Sequence, residues 1–178
     1  IGVAAIKKET FEKMEPYKIS TAPNYIPDKL ETGTQNHEGI AGIRPAVEFI
    51  ASLGEGETRK AKIVSAMERI ETYENSLAEY IREELSRIRG VRLYQAPQGI
   101  RKTPTIAFTL EGRSPREVCQ FAVDQYSVFI ADGDFYASTL AEKLNLKQTG
   151  GWIRAGLAPY NTREEADRLI AAVERCAR

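Results

Sequence analysis

GWIRAGLAPYNTREEADRL, residues 151–169, decides how the chain is read, because it joins a strand to a helix through a recognisable cap. Gly151 to Ala158 reads as a strand, which would put Trp152, Arg154 and Gly156 on one face and Ile153, Ala155 and Leu157 on the other. Thr162 then opens the last helix, running to Arg178, with Glu165 as the partner that completes a capping box. Ala166, Leu169, Ile170 and Val173 recur at helical spacing and supply the apolar face that packs back on the sheet.

The same texture extends upstream to Gly90. Val91–Tyr94 and Thr103–Leu110 read as strands. Ser114-Pro115-Arg116-Glu117 starts a helix, with Ser as N-cap, Pro at the first position and Glu three residues on. Ser127–Ala131 is expected to be a short strand and Tyr136–Leu144 a helix. Residues 90–178 therefore predict a β-β-α-β-α-β-α domain, an α+β layering of sheet and helices within an α/β protein.

Before it lies a long helical pattern, residues 57–89, in which Ile63, Met67, Ile70, Leu77, Ile81 and Leu85 recur at helical spacing between charges. It exceeds what one small domain needs and predicts an interdomain connector. A coiled coil is the alternative, although a strict heptad does not persist. Residues 1–56 read as part of another domain. Ile1–Ile6 predicts a strand covered on both faces, and Lys7–Met14 a short helix. Pro16, Pro23 and Pro27 hold an irregular stretch, and a helix carrying Ile40, Ile43, Val47 and Ile50 follows, ending at Gly54. A buried strand at residues 1–6 would need partners on both sides, so the chain is expected to be a piece of a longer polypeptide.

Composition narrows the function classes. Lys+Arg and Asp+Glu balance at 25 each over 178 residues, which gives no basic face to argue for nucleic acid. No apolar run reaches the ~20 residues of a membrane-spanning helix. A neutral cytoplasmic protein is the expectation. Cys119 and Cys176 fall in helical segments without a CxxC pair or a nearby histidine, and read as separate thiols rather than a disulfide or metal site.

Three stretches carry the right residue types for chemistry. ETGTQNHEGIAG, residues 31–42, sets Thr32, Gly33, Thr34, Gln35 and Asn36 just ahead of a helix start near Glu38 or Gly39. Free backbone N–H groups, hydroxyls and the helix dipole can bind an anion there, or Thr34 or Asn36 can simply cap the helix. His37 lacks the ligand set a metal needs. Arg154 can grip a carboxylate bidentately if it shares a face with Trp152 and Gly156, or it can serve a structural salt bridge. In IADGDFYASTL, Phe135 and Tyr136 either present a ring to a ligand or cover the end of the core. Gly133 and Gly156 suggest turns or close backbone approaches.

Together, ETGTQNHEGIAGI at 31–43, DGDFYA at 132–137 and the tail at 151–169 resemble the C-terminal portion of the class V aminotransferase group of fold-type-I pyridoxal-phosphate enzymes, its cysteine desulfurase-like branch above all. The tail's RxxLxxYNTxxExDRL pattern is the most specific part. The resemblance implies a homodimer whose active sites are shared between subunits, a pyridoxal 5'-phosphate cofactor held on a lysine as electron sink, and a small amino-acid substrate. It assigns Gly33 and Thr34, with Gln35 and Asn36 beside them, to the partner subunit's cofactor phosphate, Arg154 to the substrate carboxylate, and Tyr136 to the pocket wall. Two departures stand out. In relatives the cofactor lysine lies just before the strand that would match Ile1–Ile6, and no lysine here holds that place, so the chain by itself is expected to be inactive. Tyr136 also stands where desulfurases carry their persulfide-forming cysteine, and a phenol cannot take sulfur as a thiolate does. A lyase or epimerase of the same fold, or a non-catalytic dimerisation module, are the alternative readings.

Overall fold

The computed structural model describes all residues except Thr32 and Gln98, so Thr32 of the polar run lies outside the described residues. The chain divides into two compact units, Ile1–Ala66 and Met67–Arg178.

In the first unit, helix α1 (Lys8–Glu12) buries Phe11, and the Lys29 ammonium donates to the carbonyls of Phe11 and Glu12 at 3.3 and 2.9 Å. Helix α2 (His37–Ser52) runs 16 residues from its N-cap Asn36. Pro45 lies inside this helix rather than near its start, where its ring removes one backbone donor without ending the helix. Gly54 follows the helix, and a Cβ there would overlap the backbone of Lys62 and Ala66. This glycine is needed for that close approach rather than only as a stop. The expected strand at Ile1–Ile6 does not form: these residues carry no strand assignment, and Ile1 and Val3 are exposed. A strand requires a neighbouring edge to satisfy its backbone, and none of the described strands pairs with this segment.

Helix α3 (Arg59–Arg87) is the long helix predicted over 57–89, and it spans the boundary between the units. Its second half belongs to the Met67–Arg178 unit, where Leu77, Ala78, Ile81 and Leu85 are buried. Strands β1 (Val91–Tyr94), β2 (Thr105–Leu110), β3 (Ala131–Gly133) and β4 (Trp152–Gly156) form one antiparallel sheet in the order β1-β2-β4-β3. Helix α4 (Pro115–Tyr126) links β2 to β3, helix α5 (Ser138–Lys143) links β3 to β4, and helix α6 (Arg163–Cys176) closes the chain.

The core lies on one face of the sheet. Ile106, Phe108, Leu110, Ile153 and Ala155 meet the apolar faces of α3, α4 and α6 there, and Phe108 and Ile153 are fully enclosed. Both anticipated capping boxes are present: Ser114 with Glu117, and Thr162 with Glu165. Arg82 of α3 is the buried charge of this unit among the described residues; its guanidinium donates to the carbonyls of Thr103 and Thr105 at 3.1 and 3.0 Å, tying α3 to the start of β2. Tyr80 of α3 donates its hydroxyl to Asp167 of α6 at 2.7 Å, and Arg163 lies over its ring at 3.1 Å.

Two of the boundaries that differ from expectation shape the loops around the sheet. Residues 127–130 do not pair; β3 begins at Ala131, after Ser127 has closed α4 in a left-handed conformation at φ 53°. Helix α5 begins at Ser138 rather than Tyr136, because Phe135 and Tyr136 both have positive φ, at 51° and 62°, which no right-handed helix tolerates.

Candidate functional site

The turn after β4 shows how the decisive stretch works. Asn161 accepts from the Ala158 N–H at 2.8 Å and donates to Glu165 at 3.0 Å, while the Thr162 N–H donates to the same carboxylate at 2.9 Å. The Asn161 amide first, then the Thr162 backbone, hold the Glu165 carboxyl below its ordinary pKa. Tyr73 of α3 donates its hydroxyl to the Asn161 carbonyl at 2.5 Å. The YNT stretch is thus a joint between the end of β4 and the start of α6.

Strand alternation puts Arg154 on the sheet surface away from the core. Ile153 and Ala155 are buried, while Arg154 and Gly156 are exposed. The register places Ala107 of β2 on one side of Arg154 and Ala131 of β3 on the other, with Tyr94 of β1 beyond Ala107. One row across the sheet therefore reads Tyr94, Ala107, Arg154, Ala131. Two small neighbours leave the guanidinium standing clear of the sheet. Gly156, next on that face, adds no bulk: nothing lies within 4 Å of where its Cβ would be. Gly133, at φ 135°, makes the expected close backbone approach, with Gly151 as its neighbour, and Gly156 makes none. At φ 89°, a Cβ on Gly151 would overlap the Gly133 carbonyl.

Among the described residues the partner of the Arg154 guanidinium is an aromatic ring rather than a carboxylate. Its central carbon lies 3.9 Å from the centroid of Phe135. The loop that supplies this ring is built by Asp134, whose carboxylate accepts from the Ser138 hydroxyl at 2.6 Å and the Tyr136 N–H at 3.1 Å. The Ser138 hydroxyl and then the Tyr136 amide hold the Asp134 carboxyl below its ordinary pKa. Bulky residues at positive φ are strained, by about 1–3 kcal/mol each. Here two in succession split the aromatic pair: Phe135 turns in under Arg154, and Tyr136 stands fully in solvent at 102% exposure. Of the pair, Phe135 covers a small apolar cluster, and Tyr136 is exposed.

Beside Arg154 on the same sheet face is an open hollow of about 550 Å³, lined by Arg92, Tyr94, Ala107, Phe135, Leu140 and Trp152. Tyr94 and Trp152 meet edge to face at 6.1 Å. The Trp152 Nε1–H is buried without a hydrogen-bond partner among the described residues. Sequence reasoning missed Asp134 as the organiser of this loop. Its signal was present: an aspartate after a turn glycine commonly accepts from the backbone two residues on, as Asp134 does from the Tyr136 N–H.

The other sequence-derived residues lie in the Ile1–Ala66 unit. Asn36 Oδ1 accepts from the Gly39 N–H at 2.7 Å, so Asn36 caps α2. Gly33 and Thr34 are exposed, nothing lies within 4 Å of a Cβ built on Gly33, and Gln35 is half-buried. His37 opens the helix and is exposed. Glu38 occupies the first turn, where it complements the helix dipole.

The sequence pattern of the family described as Aminotransferase class-V matches residues 1–169. A probable cysteine desulfurase of Xylella fastidiosa (strain 9a5c) is 34% identical over 173 residues, 97% of this chain and 35% of that protein. The crystal structure of the cysteine desulfurase CsdA from Escherichia coli, in an S-sulfonic acid form, superposes with a TM-score of 0.65 at 27% identity, covering 84% of this chain and 32% of that one. The apo cysteine desulfurase from Thermococcus onnurineus NA1 superposes with a TM-score of 0.77 at 22% identity, covering 97% of this chain and 42% of that one. The chain thus spans 32% to 42% of the length of these relatives. No helix among the described residues is long and apolar enough to cross a membrane. A match through 169 of 178 residues, ending inside the helix that the YNT joint starts, places this chain in the class V aminotransferase family.

Proposed function

We propose that this chain is the C-terminal portion of a pyridoxal-phosphate enzyme that acts on a small amino acid, with Arg154 as the residue that takes the substrate carboxylate. The observation that carries this reading is the Arg154 guanidinium, exposed on an open sheet face between two alanines, with its central carbon over the Phe135 ring at 3.9 Å. An arginine so placed offers a planar fork to a carboxylate. In this reading residues 1–56 belong to the cofactor-binding domain, 57–89 are the interdomain helix and 90–178 are the small domain.

Pyridoxal 5'-phosphate would supply an electron sink for bonds at the substrate α-carbon. The residues that would meet its phosphate are Gly33, Thr34, Gln35 and Asn36, acting across the interface of a cytoplasmic homodimer. The fit is physical: an open glycine, an exposed hydroxyl and the positive end of a 16-residue helix suit a phosphate. Arg154 orients the substrate by its carboxylate, and Tyr136 offers a phenol to the substrate's side chain.

Tyr136 favours a reaction other than sulfur transfer to an enzyme thiol, since the loop presents a phenol and both cysteines are buried in the core. A lyase or epimerase of the same fold is the reading this feature supports over a desulfurase. The test uses the full-length protein assayed against L-cysteine and L-alanine. It should carry a visible cofactor absorption band, and Arg154→Ala should raise KM about 30-fold or more, the equivalent of at least the lower end of the ~2–5 kcal/mol lost when one side of a desolvated charge pair is removed. An unchanged KM overturns the assignment of Arg154. A full-length protein that binds no cofactor overturns the enzyme reading in favour of a dimerisation module.

A further inference from the structure

We infer that Phe135 is the positioning residue for Arg154: its ring holds the guanidinium in one plane and so prepares the arginine for an incoming carboxylate. This rests on the reading of Arg154 as an anion-binding residue, and it adds the group that makes that arginine selective.

An exposed arginine on a strand with alanines on both sides has nothing in the sheet to fix its four side-chain torsions. Left so, it would sample many directions, and a carboxylate would have to select one of them. Phe135 removes that freedom. The guanidinium carbon lies 3.9 Å from the ring centroid, well inside cation–π range. Stacking occupies a face of the guanidinium, whereas a carboxylate is bound by the N–H groups in its plane. The ring therefore orients the fork without competing for it. A carboxylate in the same place would both orient and neutralise the arginine, and the site would lose its charge.

The loop is shaped for this task. Phe135 reaches Arg154 from a left-handed backbone conformation at φ 51° that an aromatic residue rarely adopts. Strain of that kind persists only where the surroundings impose it. Here the Asp134 carboxylate imposes it, gripping the Tyr136 N–H and the Ser138 hydroxyl. Phe135 also packs against the small apolar cluster of Ala141, Leu146 and Trp152, which braces its ring. The neighbouring Tyr136 faces solvent and makes no such stack. The choice of which ring meets the arginine is thus made by the backbone, one residue before the tyrosine.

The experiment is a side-chain NMR titration on the full chain. The Arg154 Nε–Hε resonance is assigned by its loss in Arg154→Lys. It should sit upfield of the other arginines through the Phe135 ring current, and move to an ordinary position in Phe135→Leu. Sodium propionate is then titrated against sodium chloride at matched ionic strength. In the native chain propionate should shift the resonance saturably and chloride should not. Phe135→Leu and Phe135→Ala should weaken propionate about two- to fivefold, as expected for losing an exposed cation–π contact, and Phe135→Tyr should restore it. Amide spectra that change only around the loop, with the rest of the chain's resonances in place, establish that each variant is folded. Equal propionate affinity in the native chain and Phe135→Leu overturns the positioning role while leaving the anion site standing. A native chain that gives no saturable propionate shift overturns the anion site itself, and this inference with it. An Arg154 resonance without an upfield ring shift overturns the stack directly.

Discussion

Arg82→Met removes the buried guanidinium that joins α3 to the start of β2 while keeping most of its volume. Arg82 is 7% exposed and donates to the Thr103 and Thr105 carbonyls at 3.1 and 3.0 Å. Burial pushes its pKa down, and the nearby Glu79 charge opposes that only in part, so the charge is held at some expense of solvation. Two hydrogen bonds from a charged donor are worth ~1.5–3 kcal/mol each. Methionine recovers much of the desolvation penalty that the guanidinium carries. The balance is a destabilisation of about 2 kcal/mol, or roughly 4–8 °C in Tm for a chain of this size. The assay is urea unfolding followed by the emission of Trp152, the chain's one tryptophan, which is 5% exposed and lies in the same unit. Arg82→Lys, which keeps a charge but loses the planar fork, should fall between the native chain and Arg82→Met. A midpoint for Arg82→Met equal to or above the native one would refute the argument, since it would mean that the two carbonyl bonds only offset the burial of the charge.

Gly151→Ala should destabilise by about 3 kcal/mol or more in the same assay, because the residue sits at φ 89° and its Cβ would overlap the Gly133 carbonyl. Cys119 and Cys176 should resist iodoacetamide at pH 8 in the folded chain and react fully in urea, as mass spectrometry would report: both are buried, and burial pushes the Cys119 thiol up to about 11 and raises Cys176 as well. The Asp134 loop should keep the Phe135–Arg154 stack at neutral pH and release it only in acid. The folded carboxyl lies below its unfolded value, so its contribution is complete above the unfolded value of ~3.9 and is lost as pH falls through the lower folded one. An Arg154 ring-current shift that disappears near pH 6 would refute that origin.

How much of this was legible depended on how local the determinant is. The caps at Ser114–Glu117 and Thr162–Glu165 were readable because each is closed within four residues. The exposure of Arg154 was readable as well, because strand alternation alone puts it opposite Ile153 and Ala155. Ile1–Ile6 was misread because apolar character cannot create the neighbouring edge that a strand requires. The division of labour between Phe135 and Tyr136 was hidden for a different reason. Composition treats two adjacent aromatics alike, whereas positive backbone angles and the Asp134 grip send one inward and the other out. Asn36 was open to two readings, and its bond to Gly39 makes it a cap whatever else the run binds.

The row Tyr94, Ala107, Arg154, Ala131 has one more implication, for how this surface can evolve. Successive residues of a strand face opposite sides, so the address of the arginine is a matter of odd and even count. A one-residue deletion within β4 would send the guanidinium into the packed layer beneath and bring isoleucine out, inverting inside and outside along the whole strand at once. A deletion of two would keep the parity but move the charge away from Phe135. Substitution along this row keeps that parity, while changes in length are tolerable only in the loops. This sheet face is open to new side chains and closed to new spacing.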